Sequence, residues 1–110
     1  MTIDDHIDGD RAVLTVTGEV DVYTAPTLRE HILNAIAEGV QTVIVDLSAV
    51  AFMDSTGLGV LVGALKRLRQ SDGRLVVVCD SDAVLKIFAV TGLMDVFGVV
   101  STLDEVPQSS

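Results

Sequence analysis

The residues with the most chemical potential lie close together, in Ala51-Phe52-Met53-Asp54-Ser55-Thr56-Gly57-Leu58-Gly59. A serine hydroxyl beside a carboxylate can act as a nucleophile, cap a helix or accept a phosphoryl group. Nucleophilic catalysis needs a base and a strained elbow to present the hydroxyl. The chain has no G-x-S-x-G, and His6 and His31 lie far from Ser55 along the sequence. His31 reads as an exposed residue of the first helix, not a metal ligand, and no Cys/His cluster suggests zinc. The glycines at 57, 59 and 63 miss the dinucleotide-binding spacing because position 62 is Val, and there is no phosphate-binding P-loop. Hydrolase, zinc and nucleotide chemistry therefore find no support. Two readings of Ser55 remain. In one it only caps a helix, and the glycines only let that helix pack on a sheet. In the other, Gly57 and Gly59 strip side chains from the first turn and leave Ser55 open to a bulky partner.

These residues sit in a chain of 110 residues, a size that suits one domain. Hydrophobic residues are 49% of it, yet it has no Trp, one Tyr and three Phe, so its core is aliphatic. The net charge of −9 repels nucleic acid and anionic membranes and suits a partner with a basic docking face. The basic residues Lys66, Arg67, Arg69 and Arg74 cluster, which reads as compensation of a helix dipole at its C-terminal end. Cys79 is alone, so no internal disulfide forms, and it reads as a small buried hydrophobe. The start, Met1-Thr2-Ile3-Asp4-Asp5, has no apolar signal-peptide core. The apolar run from Gly57 to Leu65 is far short of the roughly 20 residues that span a bilayer. A cytoplasmic protein is expected.

The elements that must position Ser55 follow from periodicity. Ile3 and Ile7 share a strand face, Asp8-Gly9 turns the chain, and Leu14 and Val16 alternate with Thr15 and Thr17, as in a hairpin. Thr24 is expected to cap a helix with Pro26 in its first turn, Leu28, Ile32, Ala35 and Ile36 inward and Gly39 as its stop. Val43-Ile44-Val45 reads as a central strand closed by Asp46 and Leu47. A helix opens at Ser55 with Leu58, Leu61, Val62, Leu65 and Leu68 in one stripe. Leu75 to Cys79 is the next strand. Ser81 or Asp82 caps a third helix with Leu85, Phe88 and Ala89 inward, and Val99-Val100 is a last short strand. Thr102 and Glu105 have capping-box spacing for a final helical turn. The expectation is an α/β domain over residues 1–106, with a mostly parallel, mixed sheet of four to five strands and about four helices, then a flexible tail at 107–110.

In such a sheet, functional loops gather beyond the carboxyl ends of the strands. Three qualify: Glu19, Asp21, Tyr23 and Thr24 after the second strand; Asp54 and Ser55 after the third; Asp80, Ser81 and Asp82 after the fourth. All three are expected on one acidic edge. That edge admits a rival chemistry, in which Asp46 or Asp54 binds magnesium and accepts a phosphoryl group as receiver domains do. Such a site needs a lysine near the end of the last strand, whereas Lys86 falls within the third helix and no basic residue follows it.

Val43 to Arg69 resembles the signature of anti-sigma factor antagonists, single-domain members of the STAS superfamily. The likeness rests on Asp46-Leu47-Ser48 and on Phe52-Met53-Asp54-Ser55-Thr56-Gly57-Leu58-Gly59. Gly18-Glu19-Val20-Asp21 with Thr24-Ala25, and Thr91-Gly92-Leu93, resemble two further family segments, so the likeness runs from about Ile3 to Val106. The last helix departs from the family by ending near Pro107. The resemblance implies a STAS fold and a non-enzymatic switch that needs no cofactor of its own, since the ATP belongs to a kinase partner. An anti-sigma factor that is itself a GHKL-type serine kinase phosphorylates Ser55. The unmodified antagonist binds that kinase and frees a sigma factor; the phosphorylated form lets go, and a PP2C-type phosphatase resets it. Asp21 matches a family position implicated in kinase contact. The implied docking set is Glu19, Asp21, Thr24, Asp54, Ser55, Thr56, Gly57, Leu58 and Gly59. A STAS subunit of a transporter or a stress-sensing assembly is the alternative within the superfamily.

Overall fold

The computed structural model describes residues 1–106, so the tail expected at 107–110 lies outside the described residues. Strands β1 (Thr2–Asp8) and β2 (Arg11–Val20) form an antiparallel hairpin. Asp8 pairs with Arg11, and Gly9 takes a φ of 64° at the first of the two turn positions, where a side chain would be strained. Helix α1 (Ala25–Ala37) leads to β3 (Thr42–Met53), helix α2 (Ser55–Arg69) to β4 (Arg74–Val78), and helix α3 (Asp82–Val90) to β5 (Gly98–Val100). The sheet order is β1-β2-β3-β4-β5, with every pairing after the hairpin parallel. The expected mixed sheet is present.

Sequential parallel strands joined by right-handed crossovers put their helices on one face. Accordingly, Leu28 and Ile32 of α1, Leu61 and Leu68 of α2 and Phe88 of α3 share one core with Leu14, Val16, Val43, Val45, Leu75 and Val77. The opposite face holds a smaller cluster, Ile44, Val76, Val78 and Val106, with Val13 and Val100 against it. Cys79 is buried, as expected, and burial pushes its thiol pKa up.

Four expectations are corrected. β3 does not end at Leu47 but runs to Met53. Its register against β2 shifts twice, between Thr15 and Thr17 and between Gly18 and Glu19, so β3 carries two extra residues. Such bulges break alternation. After Leu47 the buried residues are Val50 and Met53, a spacing that mimics a loop. In α3, Val84 and Phe88 are buried, Leu85 is half-buried and Ala89 is exposed. Phe88 sets that rotation by packing edge-on against Phe97, with centroids 5.5 Å apart and planes at 81°. The last helical turn is a short 3-10 turn, Leu103–Glu105, and Thr102 makes no side-chain cap, so three α-helices stand among the described residues where about four were expected. Thr24 precedes α1 without capping it through its side chain.

Candidate functional site

Val20 and Met53 are register partners at the ends of β2 and β3, so the residues that follow them emerge side by side. The Asp54 N–H donates to the Val20 carbonyl at 3.1 Å and ties the two strand ends together. This brings Glu19, Asp21, Asp54 and Ser55 to one rim. The third expected loop is not there. β4 ends at Val78, opposite Asp46, whereas β3 continues from 47 to 53. That extension is roughly 20 Å of strand at full extension, so Asp80, Ser81 and Asp82 are set back from the rim.

Asp54, not Ser55, caps α2. Its Oδ1 accepts the Thr56 N–H at 2.9 Å and the Gly57 N–H at 3.3 Å. These are two of the donors that a helix start leaves without partners. Ser55 is therefore the first residue of the helix proper. It is exposed, and its hydroxyl makes no hydrogen bond among the described residues.

The neighbouring turn is closed by Asp21. Its Oδ1 accepts the Tyr23 N–H at 2.9 Å and the Thr24 N–H at 3.0 Å. The Thr24 hydroxyl accepts the Asp21 N–H at 2.9 Å and shares its proton between the Glu19 carbonyl at 2.9 Å and Asp21 Oδ1 at 3.2 Å. The backbone bond from Thr24, aided by Tyr23 and the Thr24 hydroxyl, holds the Asp21 carboxyl below the usual carboxylate range against the opposing effect of desolvation. Glu19 is exposed at the end of β2.

The glycines divide. A Cβ on Gly57 would stand 2.6 Å from Val20 Cγ1 and 2.8 Å from Met53 Cγ, so this glycine lets α2 sit on the strand ends. A Cβ on Gly59 or Gly63 would meet open space. Each of these two lowers helix propensity by about 1 kcal/mol relative to Ala with no packing reason inside the domain. Leu58 faces the core with Gly57, so these two of the expected docking residues shape the rim from beneath, while Thr56 and Gly59 are exposed.

Sequence reasoning missed three exposed apolar side chains on the segments that lead into the rim. Phe52 is 48% exposed and pairs with Glu19 across the strands. Val22 is 57% and Tyr23 87% exposed. Only the extension of β3 reveals Phe52, because it fixes which side chains turn outward. Elsewhere, His31 is half-buried and pairs through Nδ1 with Asp5 at 2.8 Å. Lys66, Arg67 and Arg69 occupy the last turn of α2, where they oppose its dipole. Asp46 lies mid-strand and buried, on the face away from the helices, with Oδ1 accepting the Ser48 N–H at 3.0 Å. It is not at a strand end, as a receiver-type acceptor would need. Among the described residues, no three His, Cys, Asp or Glu side chains converge to hold a metal, and no helix is long and apolar enough to cross a membrane.

Comparison with known proteins agrees with this fold. The STAS domain family model matches residues 2–106. An anti-sigma-B factor antagonist of Listeria monocytogenes is 44% identical over 96 residues, covering 86% of this chain and 79% of that protein. The crystal structure of an anti-sigma factor antagonist from Mycobacterium paratuberculosis superposes with a TM-score of 0.86 at 33% identity, covering 94% of this chain and 87% of that one. The Bacillus cell fate determinant SpoIIAA in its phosphorylated form superposes with a TM-score of 0.74 at 26% identity, covering 94% and 95%.

Proposed function

The chain belongs to the STAS domain family, in its anti-sigma factor antagonist branch, and from that premise we propose that it is a docking protein switched by phosphorylation of Ser55. In its unmodified form it binds an anti-sigma factor that is a GHKL-type serine kinase, and so releases a sigma factor. Phosphorylation ends the binding, and a PP2C-type phosphatase restores it. The observation that carries this reading is the Ser55 hydroxyl, exposed and without a hydrogen bond among the described residues at the first position of α2, on a rim it shares with Asp21 and Asp54.

Magnitudes support a switch that spares the fold. A phosphate adds about −1.5 to −2 charges at neutral pH. At a helix start an anion gains roughly 0.3–1 kcal/mol. The cap is made by Asp54, so modifying Ser55 removes no helix-capping bond. Burying the same dianion beside Asp54 under a partner costs several kcal/mol if uncompensated. The interface penalty exceeds the local gain, so the complex parts while the domain stays folded. Val22, Tyr23 and Phe52 supply the apolar contact that a dockable surface needs around its charges.

The protein itself catalyses no reaction in this scheme; the kinase brings the ATP, and both act in the cytoplasm. The test is calorimetric affinity for the kinase of four forms: wild type, Ser55-phosphorylated, Ser55→Ala and Ser55→Asp. Ser55→Ala is expected to bind like wild type, Ser55→Asp more weakly, and the phosphorylated form weakest. Equal affinity of the phosphorylated and unmodified forms would sink the switch.

A further inference from the structure

We propose that the groove between α1 and α2 is a second docking zone for the same kinase, taking an acidic segment with an apolar centre. This rests on the reading of Ser55 given above and extends its surface away from the rim. The groove has a volume of about 330 Å³. Arg29 and Leu33 line it from α1; Gly59, Val60, Gly63 and Arg67 line it from α2. Gly59, Gly63 and Arg67 lie four residues apart, in one row along the helix. The two glycines leave the α2 backbone bare, and their Cβ positions face open space. Packing within the domain therefore does not require them, whereas close approach by another chain does.

Charge identifies the occupant. The chain carries a net charge of −9, yet two guanidinium groups line this groove and no Asp or Glu does. Glu30 stands only on the adjoining shelf beside Pro26. Neither Arg29 nor Arg67 forms an ion pair among the described residues. Thr56 lines the groove and follows Ser55 directly, so a partner poised over the serine reaches it without a gap. The resulting surface is two-signed: an acidic rim at Asp21 and Asp54, then a basic groove. A fitting partner presents a basic patch followed by an acidic, partly apolar ridge.

The test uses the GHKL-type serine kinases of the source organism, purified singly, with wild type, an Arg29→Glu/Arg67→Glu double variant and Gly63→Leu. Each form is measured for kinase affinity, self-association and thermal melting. Both variants are expected to weaken kinase binding by about tenfold or more. Gly63→Leu is expected to melt no lower than wild type, because it fills open space and is the better helix former. Variants that bind the kinase as wild type does, while phosphorylated Ser55 still abolishes binding, overturn the groove and leave the switch standing. Self-association lost in the variants with kinase affinity unchanged assigns the groove to a second copy and equally overturns the proposal. If wild type binds none of the kinases, the switch and the groove fall together.

Discussion

The β2–α1 and β3–α2 turns each close on an aspartate whose Oδ1 accepts the backbone N–H groups two and three residues ahead. Asp21 is followed by Val22, Tyr23 and Thr24; Asp54 is followed by Ser55, Thr56 and Gly57. The shared device leaves the hydroxyls in opposite states. In the first turn Thr24 spends its hydroxyl on Glu19 and Asp21. In the second, Gly57 stands at the equivalent place without a side chain, α2 settles onto Val20 and Met53, and the Ser55 hydroxyl has no partner among the described residues. A hydroxyl engaged on both its donor and acceptor sides is structural. One held at a helix start by a neighbour's cap is open to chemistry.

The largest effect that tests this contrast is modification itself. Incubated with the proposed kinase partner and ATP, the protein is expected to take one phosphate, on Ser55, and Ser55→Ala none. Phosphopeptide mass spectrometry locates it, and phosphate on Thr24 would break the contrast outright.

Stability comes next. Thr24→Val removes a hydroxyl that both donates and accepts, and is expected to cost about 1–2 kcal/mol. Ser55→Ala removes no hydrogen bond and is expected to stay within about 0.5 kcal/mol of wild type. Urea unfolding of both variants measures the difference, and equal losses would mean that the Ser55 hydroxyl is also structural.

The caps can be separated from their charges. Asp54→Ala is expected to cost about 1 kcal/mol, and Asp54→Asn much less, because Asn keeps an acceptor for Thr56 and Gly57. Thermal melts of the two variants decide it. An Asn variant as damaged as the Ala variant would show that charge, not capping geometry, holds the start of α2.

The smallest effect is in the titration of Asp21. Its folded carboxyl lies below the ordinary carboxylate range, chiefly through the backbone N–H of Thr24. The order it gives the turn is therefore fully present above that range and is lost as pH falls through the lowered value. A carboxyl-carbon NMR titration is expected to place Asp21 low, with Thr24→Val moving it only part of the way back, since the hydroxyl is a lesser cause. An Asp21 midpoint in the ordinary range would mean that the turn does not hold its carboxylate as described.

Periodicity alone determined much of this molecule. Val43-Ile44-Val45 and Leu75 to Val78 are unbroken apolar runs in the sheet, and the three- and four-residue spacing of Leu58, Leu61, Leu65 and Leu68 gives the buried stripe of α2. Asp54-Ser55 ahead of Gly57 and Gly59 already marked the centre of the site. These signals are local, and local backbone geometry suffices to read them. Three decisions needed the tertiary structure. The bulges that carry β3 to Met53 exist only in its register with β2, and they expose Phe52 and leave Asp80 to Asp82 behind. The choice of Asp54 over Ser55 as the cap depends on where α2 meets the strand ends, which the bond from Asp54 to Val20 fixes. The division between Gly57 and the pair Gly59 and Gly63 depends on what lies opposite each absent side chain. Sequence shows that a side chain is missing; only packing shows whether the space belongs to the core or to a partner.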